Sequence, residues 1–306
     1  MSVFMPHLVL ANVQIPATGP KLVFAVISDT HISPKKLTYN TKFKNALKDL
    51  SAIAPDYELL AVVGDLTNKG LSSEYDLFNE ILSEYGKSKI TLFPVIGNHD
   101  WYESYKYPKH TVTDAQIAKR FIDKMNVPNL YYDKWIKGYH FIAIASEKSP
   151  KTMSESSSNS AFINSAFISD EQLDWLEKTL AIKASSDKPI FVFLHQPIID
   201  TVYGSKLGTG QKDPMLLTLL KKYPQIIFFS GHSHNPLNHT NNIIQDGITM
   251  VNTSSVAYTY TFESGENQIQ SQGYVVNVFE DKVELKAREF SNQTLIKKVI
   301  IPIQKP

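Results

Sequence analysis

Six unbroken apolar runs set the architecture open to this chain: "KLVFAVIS" (21–28), "ELLAVV" (58–63), "ITLFPVI" (90–96), "YHFIAIA" (139–145), "PIFVFL" (189–194) and "QIIFFS" (225–230). Each is rich in Val, Ile or Phe and lacks the polar alternation of a half-exposed strand. Each therefore reads as a strand covered on both faces. Helical patterns lie between them. "TKFKNALKDLSAI" (41–53) sets Phe43, Leu47 and Leu50 on one face, "SSEYDLFNEILSEYG" (72–86) opens on a Ser cap and closes on Gly86, and "SDEQLDWLEKTLAI" (169–182) opens on Ser169 with acidic residues in its first turn. Strand and helix alternate to about residue 230, which predicts an α/β core.

Beyond that point the segments "ITMVNTS", "GYVVNVFE", "KVELKARE" and "TLIKKVII" follow without helices between them. Several alternate apolar with polar residues, so they are expected to form a second, antiparallel sheet packed on the first. No linker separates the two regions, and residues 1–306 are read as a single domain with an N-terminal extension at 1–20. The Ser-rich stretch "SEKSPKTMSESSSNS" (146–160) is expected to be a mobile surface loop.

The chemistry gathers where the apolar runs stop. The first run ends in "SDTHIS", with Asp29 and His31. The second ends in "VVGDLTNKG", with Asp65, and the third in "VIGNHDWY", with Asn98, His99 and Asp100. The fifth ends in "FLHQP", with His195, and the sixth in "GHSHNP", with His232 and His234. Taken singly, Asp-x-His, Gly-Asp and His-x-His are ordinary turn chemistry. In an open α/β sheet, however, ligands bind beyond the carboxyl ends of strands, and five strand ends here deliver polar groups to one edge. Gly231 and Asn235-Pro236 end the strand at the His-x-His pair, so His232 and His234 sit on a loop, where both rings can face a common centre. The other histidines, His7, His110, His140 and His239, fall outside these motifs and are assigned to surface or packing.

Composition narrows the chemistry. There is no Cys, which removes disulfides, thiolate metal sites and cysteine nucleophiles together. Carboxylate, amide and imidazole without thiolate suit Mn, Fe or Zn better than Mg alone. Seven candidate ligands (Asp29, His31, Asp65, Asn98, His195, His232 and His234) are too many for one ion and suit two that share a bridging carboxylate, with Asp65 central in the order. A formal net charge of +1 gives no field for drawing in nucleic acid or a membrane. The first twenty residues contain no Lys or Arg, and their apolar stretch is broken by His7, Asn12 and Gln14, so no secretory pattern is present and a cytoplasmic location is expected.

In this order, Asp-x-His, Gly-Asp, Gly-Asn-His-Asp, His and Gly-His-x-His resemble the calcineurin-like metallophosphoesterases, and within them the class III cyclic-nucleotide phosphodiesterases. The resemblance spans about residues 22–235. It implies a four-layer αββα sandwich, two mixed β-sheets flanked by helices. It also implies that Asp29, His31 and His234 hold one metal ion and Asn98, His195 and His232 a second, with Asp65 shared. His99 would then stand at the leaving group, its ring oriented by Asp100. The implied activity is hydrolysis of a small phosphate ester by water that the two ions activate, with 3′,5′-cyclic nucleotides among the substrates. A phosphomonoesterase and a non-catalytic metal-binding scaffold are the alternatives. His99 favours an enzyme, since a scaffold has no use for a leaving-group acid.

Overall fold

All six apolar runs form strands, and they divide between two sheets. The structure is a computed structural model and describes residues 19–107, 110–156, 165–205 and 213–303. The first sheet contains β1 (Leu22–Ile27), β2 (Leu59–Val63) and β3 (Thr91–Val95), paired in parallel. The second contains the hairpin β4 (Tyr132–Ile136) and β5 (Tyr139–Ala143), followed by β6 (Ile190–Phe193) and β7 (Ile226–Ser230) in parallel with β5. Strands β8 (Ile243–Asp246) and β9 (Ile248–Asn252) complete it, in the order β4-β5-β6-β7-β9-β8.

The strand-rich tail does not build a sheet of its own, as the sequence led us to expect. Strand β9 pairs in parallel with β7. The last strands, β12 (Gln272–Val278), β13 (Lys282–Glu289) and β14 (Thr294–Pro302), extend the first sheet to β14-β13-β12-β1-β2-β3. The physical reason lies on β1: its edge away from β2 needs a partner, and β12 supplies it in antiparallel register from Leu22↔Val278 to Val26↔Tyr274. Every residue of β12 is buried, so it needs a neighbour on both sides. The half-exposed β14, with Lys297 and Lys298, takes the edge. A short hairpin, β10 (Thr259–Thr261) with β11 (Glu266–Gln268), stands apart.

The two sheets pack through an aromatic layer. Phe24 of β1 meets Phe141 of β5 edge-on at 5.1 Å and Phe191 of β6 at 4.8 Å, and Phe93 of β3 lies 5.3 Å from Phe193. The outer face of the first sheet is covered by α1 (Leu37–Ile53), α2 (Ser72–Tyr85) and α4 (Asp114–Met125), with a short α3 (Tyr102–Lys106) between the last two. The outer face of the second is covered by α6 (Asp170–Leu180) and α7 (Asp213–Leu220). The fold is therefore the expected four-layer α/β sandwich, with mixed sheets.

Three local expectations change. Helix α1 begins at Leu37, one turn before residue 41, because the Asn40 amide donates to Ser33 O at 2.9 Å and anchors that turn. Ser72 is the first residue of α2 and not its cap. The Glu74 carboxylate takes the capping role by accepting from Lys69 N at 2.8 Å. In the Ser-rich stretch, Pro150–Ser156 form helix α5, its first turn tied by Thr152 N donating to Ser149 Oγ, and Met153 is buried. The described part of that stretch is thus ordered. Residues 157–160 of it, and 1–18 of the N-terminal extension, lie outside the described residues.

Candidate metal centre

The backbone at the strand ends is bent into an uncommon conformation. Asp29, His31, Asp65, His232 and His234 all have positive φ, between 45° and 65°. For residues with a Cβ this conformation is costly, and it persists only where surrounding bonds impose it. Here the loop after β1 is laced to the loop after β2: Asp29 N donates to Gly64 O, His31 N to Asp65 O and Ile32 N to Leu66 O, at 3.0–3.1 Å. From the other side, Ala257 N donates to Asp29 O and Tyr260 N to His234 O. The glycine before His232 is required by space, since a Cβ on Gly231 would stand 1.9 Å from Ser28 Oγ and 2.6 Å from Asp29 Oδ2.

These loops bring together all seven of the ligand residues read from the sequence. Asp29 Oδ1 lies 3.0 Å from His234 Nε2, 3.8 Å from His31 Nε2 and 3.9 Å from His195 Nε2. The two oxygens of Asp65 meet different rings, Oδ2 at 3.8 Å from His31 Nε2 and Oδ1 at 3.3 Å from His195 Nε2, and Oδ1 also accepts from His99 N at 2.8 Å. Asn98 Oδ1 lies 3.1 Å from His195 Nε2 and 2.9 Å from His232 Nδ1. Ligand atoms of Asp29, His31, Asp65 and His234 all fall within 4.8 Å of one another. The second group, Asn98, His195 and His232, adjoins them across Asp65.

Backbone carbonyls aim the rings. His195 Nδ1 bonds Val63 O at 2.8 Å and His234 Nδ1 bonds Tyr258 O at 2.9 Å, so each presents Nε2 to the centre. His99 is held in the same way, through Nδ1 to Asn68 O at 3.0 Å. This corrects the expectation that Asp100 orients that ring. The Asp100 carboxylate is occupied elsewhere, accepting from Thr67 N and Oγ1 at Oδ1 and from Leu66 N and Gly97 N at Oδ2. Buried beneath the site, Asp100 fixes the loops after β2 and β3, and acts on His99 only through them.

Other neighbours of the centre were not singled out from the sequence. Ser28 Oγ lies 2.5 Å from Asp29 Oδ2 and pins that carboxylate. The ring of Tyr258 stacks on His31 at 5.8 Å and leans on His234 at 4.3 Å. Tyr102 leans on His99 at 4.1 Å and accepts from Asn98 Nδ2. Both tyrosines fall in aromatic stretches, 101–110 and 257–268, but composition alone does not say which ring reaches the site.

Burial works against charge throughout the cluster, and the partners decide the outcome. It tends to raise both carboxyls, yet His234 and His195 hold Asp29 below its usual range, and His195 and His99 hold Asp65 well below it. It tends to lower His195, yet Asp65 and Asp29 push that imidazole up to about 9. Burial, with His195 beside it, takes His232 down to about 3; burial with His99 takes His31 well below its ordinary value. Burial also tends to lower His234, yet Asp29 raises it, so the two buried carboxylates draw positive charge toward His195 and His234 while His31, His99 and His232 are held toward the neutral form. Asp29 Oδ1 is buried at the point where three imidazole nitrogens converge, with His234 Nε2 at 3.0 Å. This donor set fits divalent metal ions.

The comparisons agree. A family model described as calcineurin-like phosphoesterase matches residues 22–236. A curated relative from Arcobacter nitrofigilis, a probable glycerophosphodiester phosphodiesterase, is 26% identical over 228 residues, covering 70% of this chain and 72% of its own. Among solved structures, a dimetal phosphatase from Danio rerio superposes with a TM-score of 0.68 at 14% identity, over 93% of this chain and 100% of its own. A purple acid phosphatase from yellow lupin does so with a TM-score of 0.61 at 15% identity, over 92% of this chain and 53% of its own. With the motifs, the fold and the family match in accord, this chain belongs to the calcineurin-like phosphoesterases, metal-dependent hydrolases of phosphoric esters.

Proposed function

We propose that the chain hydrolyses small phosphodiesters at a centre of two metal ions drawn from Mn, Fe and Zn. Asp29, His31 and His234 would hold one ion, and Asn98, His195 and His232 the other, with Asp65 shared, one oxygen near His31 and the other near His195. When bound, such a pair offsets phosphoryl charge and lowers the pKa of a water toward neutrality. His99 supplies the proton for the departing alcohol. Its Nδ1–H is committed to Asn68 O, so a proton for the leaving oxygen would come from Nε2 of the imidazolium, a form that burial disfavours and the Asp65 carboxylate favours.

The observation that carries the diester reading is the fate of arginine. The sequence has two, Arg120 and Arg288. Arg288 is clamped on Asp49 by two bonds of 2.7 and 2.8 Å, and Arg120 is held by Glu103 and Gly70 O. Neither guanidinium is free to fork onto a phosphate. A monoester dianion gains most from such a fork, whereas a diester carries one negative charge and needs less. Glycerophosphodiesters, named in the curated relative, and 3′,5′-cyclic nucleotides are the substrate classes we propose.

The test is turnover of a bis-aryl phosphate, an aryl phosphate, a glycerophosphodiester and a cyclic nucleotide after chelation and reloading with Mn. The proposal expects kcat/KM on the diaryl ester to exceed that on the monoester by at least about 10-fold, a difference of about 1.4 kcal/mol in transition-state binding. Preference for the monoester would overturn it.

A further inference from the structure

We propose that Tyr102 is a positioning residue that selects which end of the Asn98 amide faces the metal centre. This rests on the reading of Asn98 as a ligand. A carboxamide presents an acceptor at one end and donors at the other, and only the oxygen can face a cation. The two ends are nearly equal in shape, so packing alone does not choose between them. The choice falls to hydrogen bonds, and here it is made on the side away from the centre. Asn98 Nδ2 donates to the Tyr102 hydroxyl at 2.9 Å, which leaves Oδ1 facing His195 Nε2 and His232 Nδ1.

Local structure puts the hydroxyl in place. Asn98 stands just before a 3-10 turn, His99–Trp101, and Tyr102 opens α3 directly after it, so the two residues are four apart on one continuous helical path. Tyr102 is buried, and its ring leans on the His99 imidazole with centroids 4.1 Å apart. One side chain therefore touches a candidate ligand with its hydroxyl and the candidate proton donor with its face. The two contacts use different atoms, so they can be separated by substitution.

Tyr102→Phe keeps the ring against His99 and removes the acceptor. The amide then loses its preferred orientation, and its NH2 group is free to turn toward the centre. Partners that orient a ligand from behind typically contribute 10–100-fold to metal affinity. Calorimetric titration of chelator-stripped protein with Mn should therefore show the weaker of two sites loosened by about 10-fold or more, with the other unchanged. Leaving-group dependence of turnover should stay as in the parent, because His99 keeps its neighbour. In an Asn98→Asp background both ends of the side chain are oxygen and the hydroxyl turns from acceptor to donor, so orientation no longer has to be chosen and Tyr102→Phe should weaken the site less than in the parent.

Wild-type affinity at both sites in Tyr102→Phe would overturn the assignment. So would an equal loss at both sites, which would mark general loosening, or a loss that persists undiminished in the Asn98→Asp background. A parent protein that binds one ion per chain would instead overturn the two-ion reading, and this assignment with it.

Discussion

Gly64→Ala should damage the centre from behind, without touching a ligand. Gly64 has φ of +84°, and an added Cβ would lie 2.2 Å from His195 Nδ1, 2.4 Å from its Cγ and 2.6 Å from its Cβ. The ring has no room to give. It is fully buried, tied to Val63 O at 2.8 Å, and directed at Asp65 and Asn98. Two costs add: about 1–2 kcal/mol for placing a Cβ in the left-handed region, and about 1–3 kcal/mol for overpacking a closed core. Gly138→Ala separates them, because Gly138 has φ of +78° and its added Cβ would meet only Lys188 Nζ, at 3.7 Å. We expect Gly138→Ala to lose about 1 kcal/mol by denaturant unfolding and Gly64→Ala to lose at least about 1 kcal/mol more. Only Gly64→Ala should also loosen the ion held by Asn98, His195 and His232. Equal destabilisation in the two variants, with full metal content in both, would refute the steric argument.

Other perturbations divide the roles further. His99→Asn should keep its metals and lose at least about 10-fold more rate on an alkyl or nucleotide ester than on an activated aryl ester; equal losses would make His99 a general anchor for the phosphoryl group. Asp100→Asn should show no such bias and should appear as lost stability, about 2 kcal/mol in urea, since its carboxylate gathers four donors from the loops after β2 and β3. The ion-free protein should become less stable as pH rises from 6.5 to about 9. The folded pKa of His195 lies above its unfolded value, so its stabilisation is complete below 6.5 and lost through about 9, up to about 3 kcal/mol. Thermal melts of chelated protein across that range check it, and a flat or rising Tm would contradict it.

The sequence carried the strands and the ligand positions because both are written locally. A run such as "QIIFFS" followed by Gly-His-x-His states its burial and its chemistry within ten residues. Partner choice is not local. Nothing in "GYVVNVFE" says that β12 will pair with β1, far earlier in the chain, and so the sequence predicts a separate sheet where the tail in fact extends the two sheets already built. Asp100 differs from expectation for a related reason: adjacency in sequence suggests contact with His99, while the carboxylate is taken up by Leu66, Thr67 and Gly97. The bond that does hold the ring comes from the Asn68 carbonyl, a backbone group that no residue type announces. Helix α5 was hidden by composition, since Ser and Lys conceal the one buried anchor, Met153.

The central claim is a two-ion centre with Asp65 shared, and metal counting in two variants tests it most directly. The parent, Asp29→Asn and Asp65→Asn would each be equilibrated with Mn, freed of excess ion and analysed for Mn per chain as free Mn is lowered. The account predicts two ions in the parent, weakened binding of one ion in Asp29→Asn, and weakened binding of both in Asp65→Asn, because its two oxygens face His31 on one side and His195 on the other. A parent that never exceeds one ion, or an Asp65→Asn protein that loses one ion while holding the other at wild-type affinity, would contradict it.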